Sequence, residues 1–324
     1  MAYTLTYNDL SENVQDWQGL PLSLSGCEVM PLDYNAGKTG WILYGKNLTK
    51  TVLSAFQTQL GMPMVIVSSW KIKNLPIIRI AGSMPKKACH IAEQVGIDIA
   101  SIDQLPSLRS AGLLVMDMDS TALTIECIDE IAKQFGVGDQ VSKVTEQAMR
   151  GEIDFSTSLR KRVASLAGAD IAILEDIRQN LPLTPGLSFL IKQLQQYNWQ
   201  IAIVSGGFTY FADHLKNTFN LSEVHANQLV INKGKLSGRV KGQIVDAKYK
   251  AKALQTIASN LEIPMSQTVA IGDGANDLKM LKVAGLGVAY RAKPKVVEKA
   301  KTAIKFANLT GLYCILSASL DSEG

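Results

Sequence analysis

Apolar and polar positions follow different patterns in the first third of the chain and in the remainder. Before residue 106, runs rich in β-branched and aromatic residues alternate with helix-like stretches. The predicted strands are TGWILYG at 39–45, MVIVSSW at 64–70 and LPIIRIAG at 75–82, and the predicted helices are KNLTKTVLSAFQTQL at 46–60 and KKACHIAEQVGI at 86–97. Residues 1–105 are therefore predicted to form a small α+β domain.

Beyond residue 105, short and continuously apolar strands alternate with helices. The predicted strands are AGLLVMD at 111–117, WQIAIVSGG at 199–207, TVAIGDG at 268–274 and GLGVAY at 285–290. This pattern indicates an α/β domain over 106–324, with a Rossmann-like parallel sheet covered on both faces. The long helical stretch between the first two strands predicts a helical cap at about 124–184. KGKLSGRVKGQIV at 233–245 predicts a hairpin or flap.

Length and composition favour a folded protein of two domains, or of one large domain. The chain has 324 residues, of which 47% are apolar and 19% charged, which is enough apolar material for a large core and excludes a mainly disordered chain. No apolar run approaches the roughly 18 residues of a membrane span, and the first residues are acidic and polar where a signal peptide would be basic and apolar.

The cysteines and the net charge indicate in which cellular compartment the protein lies and which binding partners it can have. Four cysteines without a CxxC pair predict reduced core thiols and a cytoplasmic protein: Cys27, Cys89, Cys127 and Cys314. The net charge of +4 lies wholly in 106–324, because acidic and basic residues are equal in number before it. We therefore expect neither nucleic acid nor a membrane as a partner. The small excess of positive charge is enough to attract a small anionic ligand.

Polar residues gather at the ends of the predicted parallel strands, where open α/β sheets bind ligands. Asp117 and Asp119 follow the first strand, Ser205-Gly206-Gly207 ends the second, and Asp273, Asn276 and Asp277 follow the third. Close carboxylates need a cation or protons to neutralise them, and oxygen ligands without His or Cys favour magnesium. A hydroxyl, two unhindered amides and a nearby lysine suit a phosphate. Lys250 and Lys252 are both candidates, and the spacing to Asp273 favours Lys250.

The order and position of DMDST, SGG, the lysine and GDGAND resemble the four motifs of the haloacid dehalogenase-like phosphatases. The fuller segments resemble the phosphoserine phosphatases among them: DMDSTALTIECIDEIA at 117–132, GEIDFSTSLRKRV at 151–163, VSGGF at 204–208, DAKYKAK at 246–252 and AIGDGANDLKML at 270–281. The resemblance covers about 106–310. Some bacterial members carry an ACT-like module before it, which implies a regulatory or oligomerising role for 1–105 and leaves a homodimer open.

The resemblance implies magnesium-dependent hydrolysis of O-phospho-L-serine to L-serine and phosphate, the last step of serine biosynthesis. Asp117 would attack phosphorus to form an aspartyl-phosphate, and Asp119 would act as general acid and then as general base. Magnesium would be held by the Asp117 carboxylate, the Asp119 carbonyl and Asp273, with Asp277 behind them. The residues expected to bind the phosphoryl group are Ser205, Gly206, Lys250 and Asn276.

The resemblance also implies how the cap recognises substrate. Glu126 would accept the ammonium and Arg162 would pair with the carboxylate, a task that suits the planar guanidinium. Met149 and Phe155 would close over the substrate and exclude water. Read alone, Glu126 and Arg162 are also compatible with an ordinary charged surface, and Met149 and Phe155 with a core.

Two alternatives remain open from the sequence. The same core is compatible with another small phosphomonoester, such as phosphothreonine or a sugar phosphate, although a sugar phosphate offers Glu126 and Arg162 no partner. A second class is an amino-acid sensor built on 1–105, either with a relic phosphatase core or as an addition to an active enzyme. The intact set Asp117, Asp119, Lys250 and Asp273 speaks against a relic.

Overall fold

The structure is a computed structural model of the chain, and it describes residues 10–17, 22–25, 28–31 and 39–321. Within these ranges, the first domain has six strands and two helices, preceded by a helical turn at Val14–Asp16. The strands are β1 (Leu22–Ser25), β2 (Glu28–Pro31), β3 (Gly40–Tyr44), β4 (Met64–Ile72), β5 (Leu75–Ala81) and β6 (Asp98–Ser101), and the helices are α1 (Lys50–Leu60) and α2 (Ala88–Gln94). The predicted α+β domain is thus observed.

The strands of this domain form one antiparallel sheet in the order β2-β1-β4-β5-β3-β6. From β3 to β6 the elements follow a βαββαβ order, the ferredoxin-like arrangement, to which β1 and β2 add two strands beside β4. Alternation along the strands divides the sheet into two apolar faces. Trp41 and Leu43 pack on one face with α1 and α2, while Ile42 and Tyr44 point to the other face.

The second domain contains a seven-stranded sheet. Its strands are β7 (Leu113–Met116), β8 (Gln200–Phe208), β9 (Glu223–Asn232), β10 (Lys235–Lys241), β11 (Thr268–Gly272), β12 (Leu286–Tyr290) and β13 (Thr302–Ile304). Its helices are α3 (Cys127–Phe135), α4 (Gly138–Met149), α5 (Phe155–Ala164), α6 (Ile171–Gln179), α7 (Leu187–Gln196), α8 (Thr209–Phe219), α9 (Ala247–Asn260), α10 (Leu278–Val283), α11 (Pro294–Val297) and α12 (Thr310–Asp321).

The strand order β10-β9-β8-β7-β11-β12-β13 is doubly wound, with β10 alone antiparallel. The chain runs outward from β7 through β8 and β9, then returns to the other side of β7 as β11 to β13. The order therefore reverses between β7 and β11, and a crevice opens beyond their carboxyl ends. All four residues of β7 are buried, as expected for a central parallel strand. The predicted α/β fold class is confirmed.

Helices α3 to α6 form the cap, inserted between β7 and β8. Aspartates begin two of these helices: Asp154 accepts the backbone N–H of Thr157, and Asp170 accepts that of Ala172. The apolar faces of the cap join the main core through residues such as Ile131, Leu159 and Leu174. The hairpin predicted within 233–245 lies earlier in the chain: β9 precedes this segment, which supplies only the turn and β10, because the partly apolar β9 pairs with it. None of the helices in the described ranges has the length and apolarity needed to cross a membrane.

The burial of the cysteines corrects one expectation. Cys127 and Cys314 are buried, free thiols, as predicted, whereas Cys89 is exposed. The expectation of a core thiol is wrong for Cys89 because Ala88 and Ile91 occupy the core-facing side of α2. Cys27 lies outside the described residues.

Candidate active site

The chain leaves β7 in a tight turn that directs two aspartates into the crevice. The Asp117 N–H donates to the carbonyl of Ile271 at 3.0 Å, so the turn begins hydrogen-bonded to β11. Ser120 has a φ of 56°, in the left-handed region that residues other than glycine rarely adopt. This conformation reverses the chain toward the cap, where the Ser120 hydroxyl donates to Glu126 Oε1 at 2.7 Å. Backbone strain of this kind is often found at functional sites.

Lys250 lies at the bottom of the crevice between two carboxylates. Its ammonium is 2.9 Å from Asp117 Oδ2 and 2.7 Å from Asp277 Oδ1, and its side chain is fully buried. These two neighbours overcome the effect of burial and raise the pKa of Lys250 above its ordinary value. Lys252 is exposed. Of the two lysines that the sequence offered, Lys250 is therefore the one that reaches the aspartates.

Three carboxylates form a cluster that fits a metal ion. Asp117, Asp273 and Asp277 each bring an oxygen to within 4.8 Å of the others. Burial, followed by the charge of Asp117, raises the pKa of Asp273 to about 6, although the Thr121 hydroxyl donates to Asp273 Oδ1 at 3.1 Å. Burial and the charge of Asp117 also raise the pKa of Asp277, against the opposing effect of Lys250. A hard divalent cation would relieve this repulsion with its preferred ligand atoms.

Asp119 is buried beside this cluster, and its carboxyl group is only partly satisfied. Its Oδ1 atom has no hydrogen-bond partner among the described residues. Burial, then the charge of Glu126, raises the pKa of Asp119 well above its ordinary value; the charge of Asp117 adds to this, and hydrogen bonding with Cys127 opposes it. The raised pKa favours the protonated carboxyl group, which is the form that can deliver a proton to a reacting atom.

The turn Ser205-Gly206-Gly207 faces Asp119 from the end of β8. The Gly207 N–H donates to Ser205 Oγ at 3.0 Å. A Cβ on Gly207 would lie 2.9 Å from Asp119 Oδ2, and one on Gly206 would lie 2.8 Å from Cζ of Phe155. A side chain at Gly206 would therefore require Phe155 to move, and one at Gly207 would require Met118 and Asp119 to move.

The cap supplies a negative and a positive group at the edge of the crevice. Burial lowers the pKa of Arg162, while the charges of Asp129, Glu126 and Asp119 raise it, so these four groups lie near one another. Arg162 Nε is buried and has no hydrogen-bond partner among the described residues. An unpaired guanidinium donor in a crevice suits an anionic ligand.

Most of the residues that the sequence singled out therefore meet at one place. Asn276 is half-buried, with its side chain over Gly274, and Phe155 lies against Gly206. Met149 does not join them, because its side chain is 66% exposed at the end of α4. Three residues at the site were not predicted from the sequence. Thr121 donates a hydrogen bond to Asp273, Asp129 lies near Arg162, and the buried Asn227 donates a hydrogen bond to the Gly206 carbonyl. Thr121 and Asp129 lie within the quoted motifs, whereas nothing in the sequence marks Asn227.

This combination of fold and site is that of a haloacid dehalogenase-like hydrolase, and the model of that family matches residues 112–285. A second model, a domain of unknown function (DUF5609), matches residues 37–101. The first match begins at β7 and ends just before β12, and the second covers the βαββαβ part of the first domain.

Curated relatives and solved structures show to which family of the haloacid dehalogenase-like hydrolases the chain belongs. A phosphoserine phosphatase from Haemophilus influenzae is 52% identical over 86% of this chain and 89% of its own length. The structure of a probable phosphoserine phosphatase from Vibrio cholerae has a TM-score of 0.83 at 45% identity, covering 90% of this chain and 91% of that one. A substrate-bound phosphoserine phosphatase complex has a TM-score of 0.60 at 38% identity, covering 63% of this chain and 98% of that one. The chain belongs to the phosphoserine phosphatase family of the haloacid dehalogenase-like hydrolases, which confirms the resemblance found in the motifs.

Proposed function

We propose that this chain hydrolyses O-phospho-L-serine to L-serine and phosphate, with magnesium as its cofactor. The observation that carries this proposal is that the cap brings the Glu126 carboxylate and the Arg162 guanidinium near each other, beside Asp117 and Asp119. A zwitterionic amino-acid part needs an anionic and a cationic contact next to the site that cleaves its phosphate. The names of the relatives support the same substrate.

In the first step Asp117 acts as the nucleophile. Its Oδ2 is held by Lys250 and its Oδ1 accepts the N–H of Met118 at 2.7 Å, so the carboxylate is fixed in orientation. A carboxylate oxygen of Asp117 forms a bond to phosphorus while the bond from phosphorus to the serine oxygen breaks. Asp119 gives its proton to that departing oxygen, and serine leaves as the neutral alcohol.

In the second step Asp119 acts as a base. It takes a proton from a water molecule as the water oxygen bonds to phosphorus and the bond to Asp117 breaks. Phosphate leaves, Asp117 is again a carboxylate, and Asp119 has regained its proton. Ser205, the Gly206 amide, Lys250 and Asn276 hold the non-bridging oxygens throughout, and Phe155 helps to exclude bulk water.

Magnesium would be held by the Asp117 carboxylate, the Asp119 carbonyl and Asp273. The fit is supported by the carboxylate cluster and by the raised pKa of Asp273. Asp277 would serve as an outer partner, because Lys250 and the Gly274 N–H occupy its oxygens at 2.7 and 3.0 Å. When bound, the ion would supply positive charge to the phosphoryl group.

The test is phosphate release from L-phosphoserine, phosphothreonine and a sugar phosphate, each with and without magnesium. We expect magnesium-dependent release with a strong preference for phosphoserine, and no steady-state release by Asp117→Asn, which keeps the fold but lacks the nucleophile. Equal turnover of all three compounds would support the alternative, a phosphatase of broad specificity for small phosphomonoesters. Retained turnover by Asp117→Asn would contradict the mechanism.

We also propose the division into a module at 1–105 and a phosphatase domain at 106–324, with the cap at about 124–184. Support comes from the two separate sheets and from the position of α3 to α6. A regulatory role of the module stays a prediction, and calorimetric titration of the full chain with L-serine, compared with an Arg162→Ala variant, would separate a second serine site from the active site. The cytoplasm remains the proposed compartment, supported by the free thiols of Cys89, Cys127 and Cys314.

A further inference from the structure

We propose that Asn227 is a positioning residue that connects the two phosphate-binding parts of the site. The phosphate turn is Ser205-Gly206-Gly207, and the lysine segment runs from Val245 to Lys250. Asn227 lies on β9 and forms a hydrogen bond with each of these two parts. The inference rests on the proposed function of these two parts as the phosphate site.

The need for such a residue arises from an irregularity in the sheet. Strands β8 and β9 pair as Val204 with His225, and next as Phe208 with Asn227. Three residues of β8 thus lie opposite one residue of β9, so the phosphate turn bulges away from the regular ladder. The bulge directs Ser205 and the two glycines into the crevice, and it removes their backbone from regular pairing with β9.

The Asn227 side chain supplies hydrogen bonds at this bulge. Its Nδ2 donates to the Gly206 carbonyl at 2.8 Å, and its Oδ1 accepts the Val245 N–H at 3.0 Å. The residue is 1% exposed, so water is excluded from these bonds. Only a side chain with a donor and an acceptor on one carbon can make both bonds, which asparagine does and aspartate does not.

On the turn side, Asn227 fixes the peptide plane between Gly206 and Gly207. The N–H of that same peptide donates to Ser205 Oγ. Because Ser205 Oγ accepts this bond, its own proton is left to point elsewhere, and the open direction is the crevice. Loss of the Asn227 donor would free a glycine-glycine peptide to rotate, and the Ser205 hydroxyl would lose its orientation.

On the lysine side, Asn227 fixes the chain that enters α9. Val245 precedes Asp246, which caps α9 by accepting the Tyr249 N–H at 2.8 Å through its side chain and the Lys250 N–H at 2.9 Å through its carbonyl. Lys250 lies in the first turn of that helix. One side chain therefore sets the distance between the Ser205 hydroxyl and the Lys250 ammonium, the two groups that receive the phosphoryl oxygens.

The test compares Asn227→Asp with Asn232→Asp, the same substitution on an exposed residue of the same strand. An aspartate at position 227 can still accept the hydrogen bond from the Val245 N–H, but its second carboxylate oxygen repels the Gly206 carbonyl oxygen. Binding of inorganic phosphate in the presence of magnesium is measured by calorimetry, and binding of L-serine is measured separately. We expect Asn227→Asp to weaken phosphate binding at least about tenfold and to leave serine binding unchanged. Asn232→Asp should bind both ligands as the parent protein does.

If Asn227→Asp weakens phosphate binding and serine binding equally, a general loss of structure is indicated and the proposal is overturned. Unchanged phosphate binding would also overturn it. Phosphate binding needs no turnover, so failure of the parent protein to hydrolyse phosphoserine would affect the proposed function alone. If Asn227→Asp does not fold, hydrogen exchange of the parent protein decides. Phosphate should slow exchange at Gly207 and at Val245 together, and protection of Gly207 alone would contradict the connection.

Discussion

Asp117, Asp119, Asp273 and Asp277 share one small buried volume with Lys250. A buried pair of charges is favourable only when its remaining hydrogen bonds are made, and the Met118 and Gly274 N–H groups satisfy Asp117 and Asp277 in this way. Asp119 Oδ1 has no such partner among the described residues. The site is therefore arranged to bind cations and protons rather than for maximum stability.

This arrangement predicts that magnesium stabilises the protein more at high pH than at low pH. The pKa of Asp273 is about 6 in the folded protein, against an ordinary value of 3.8, and that of Asp277 is also raised. Groups whose pKa is raised by folding add stability at low pH that is lost as pH rises, here between about pH 4 and pH 7. Magnesium needs the ionised carboxylates, so its effect grows over the same range.

The measurement is the melting temperature with and without millimolar magnesium at pH 5.5 and pH 8. We expect a shift of a few degrees at pH 8 and a smaller one at pH 5.5. Asp273→Asn should melt higher than the parent protein without metal and show little response to magnesium. An equal shift at both pH values, or a full response of Asp273→Asn, would contradict the assignment of Asp273 as a ligand.

Arg162 gives the second prediction at this scale. Arg162→Ala should raise KM for phosphoserine by roughly 10- to 100-fold, as expected for loss of a charged hydrogen bond of about 1.5–3 kcal/mol. KM for phosphoethanolamine, which has no carboxylate, should change little. Initial rates on both substrates provide the test, with Arg160→Ala on the exposed side of α5 as the control. Equal losses on both substrates would remove Arg162 from carboxylate recognition.

At the scale of elements, β6 connects the two domains through one carboxylate. Asp98 is 2% exposed, although it begins an edge strand. Its Oδ1 accepts the N–H of Lys305 at 2.7 Å, its Oδ2 accepts that of Ala307 at 2.7 Å, and the N–H of Phe306 lies between them. The aspartate thus satisfies the backbone donors that follow β13 in the other domain.

Asp98→Ala should therefore weaken the contact between the domains. A buried donor left without a partner costs about 1–3 kcal/mol, so we expect a loss of that order in the free energy of unfolding, measured by urea denaturation. Asp98→Asn should lose less stability because it keeps one acceptor oxygen. The control Asp139→Ala, at an exposed position, should have the same free energy of unfolding as the parent protein. If Asp98→Ala unfolds like Asp139→Ala, the carboxylate does not hold the domains together.

At the scale of the whole molecule, α12 belongs to the cores of both domains. It packs on α7 and on the face of the first sheet formed by β3, β4 and β5. Leu312, Ile315 and Leu316 are fully buried, and Ser317 Oγ accepts from the Trp70 indole at 3.0 Å. A helix that is apolar nearly all round needs cover on every side. The first domain provides that cover.

Removal of residues 1–105 should consequently expose one side of α12. We expect the remaining chain to bind the dye ANS and to associate at micromolar concentration, since a large apolar patch on a monomer favours association. Dye fluorescence and light scattering, compared with those of the full chain, test this. A shortened chain that stays monomeric and binds no dye would contradict the role of the first domain as a cover.

The sequence predicted long, strongly patterned elements well and short or polar ones poorly. Strands β7, β8, β11 and β12 are continuously apolar, so their pattern alone indicates a buried parallel sheet. In contrast, β6 and β13 have only four and three residues, and polar residues make up half of β9. Such strands exist because neighbouring strands and helices stabilise them, and this contribution is absent from local pattern.

The chain order of residues by itself determined the class of chemistry, because carboxylates, a hydroxyl and glycines at the ends of buried strands must meet when those strands are parallel. The tertiary structure alone decided which groups touch. It brought Lys250 rather than Lys252 to the aspartates, left Met149 exposed, and placed Asn227 under the phosphate turn. The positions of Lys250 and Asn227 depend on the bulge in β8 and on the start of α9, which arise from packing between segments distant in the chain.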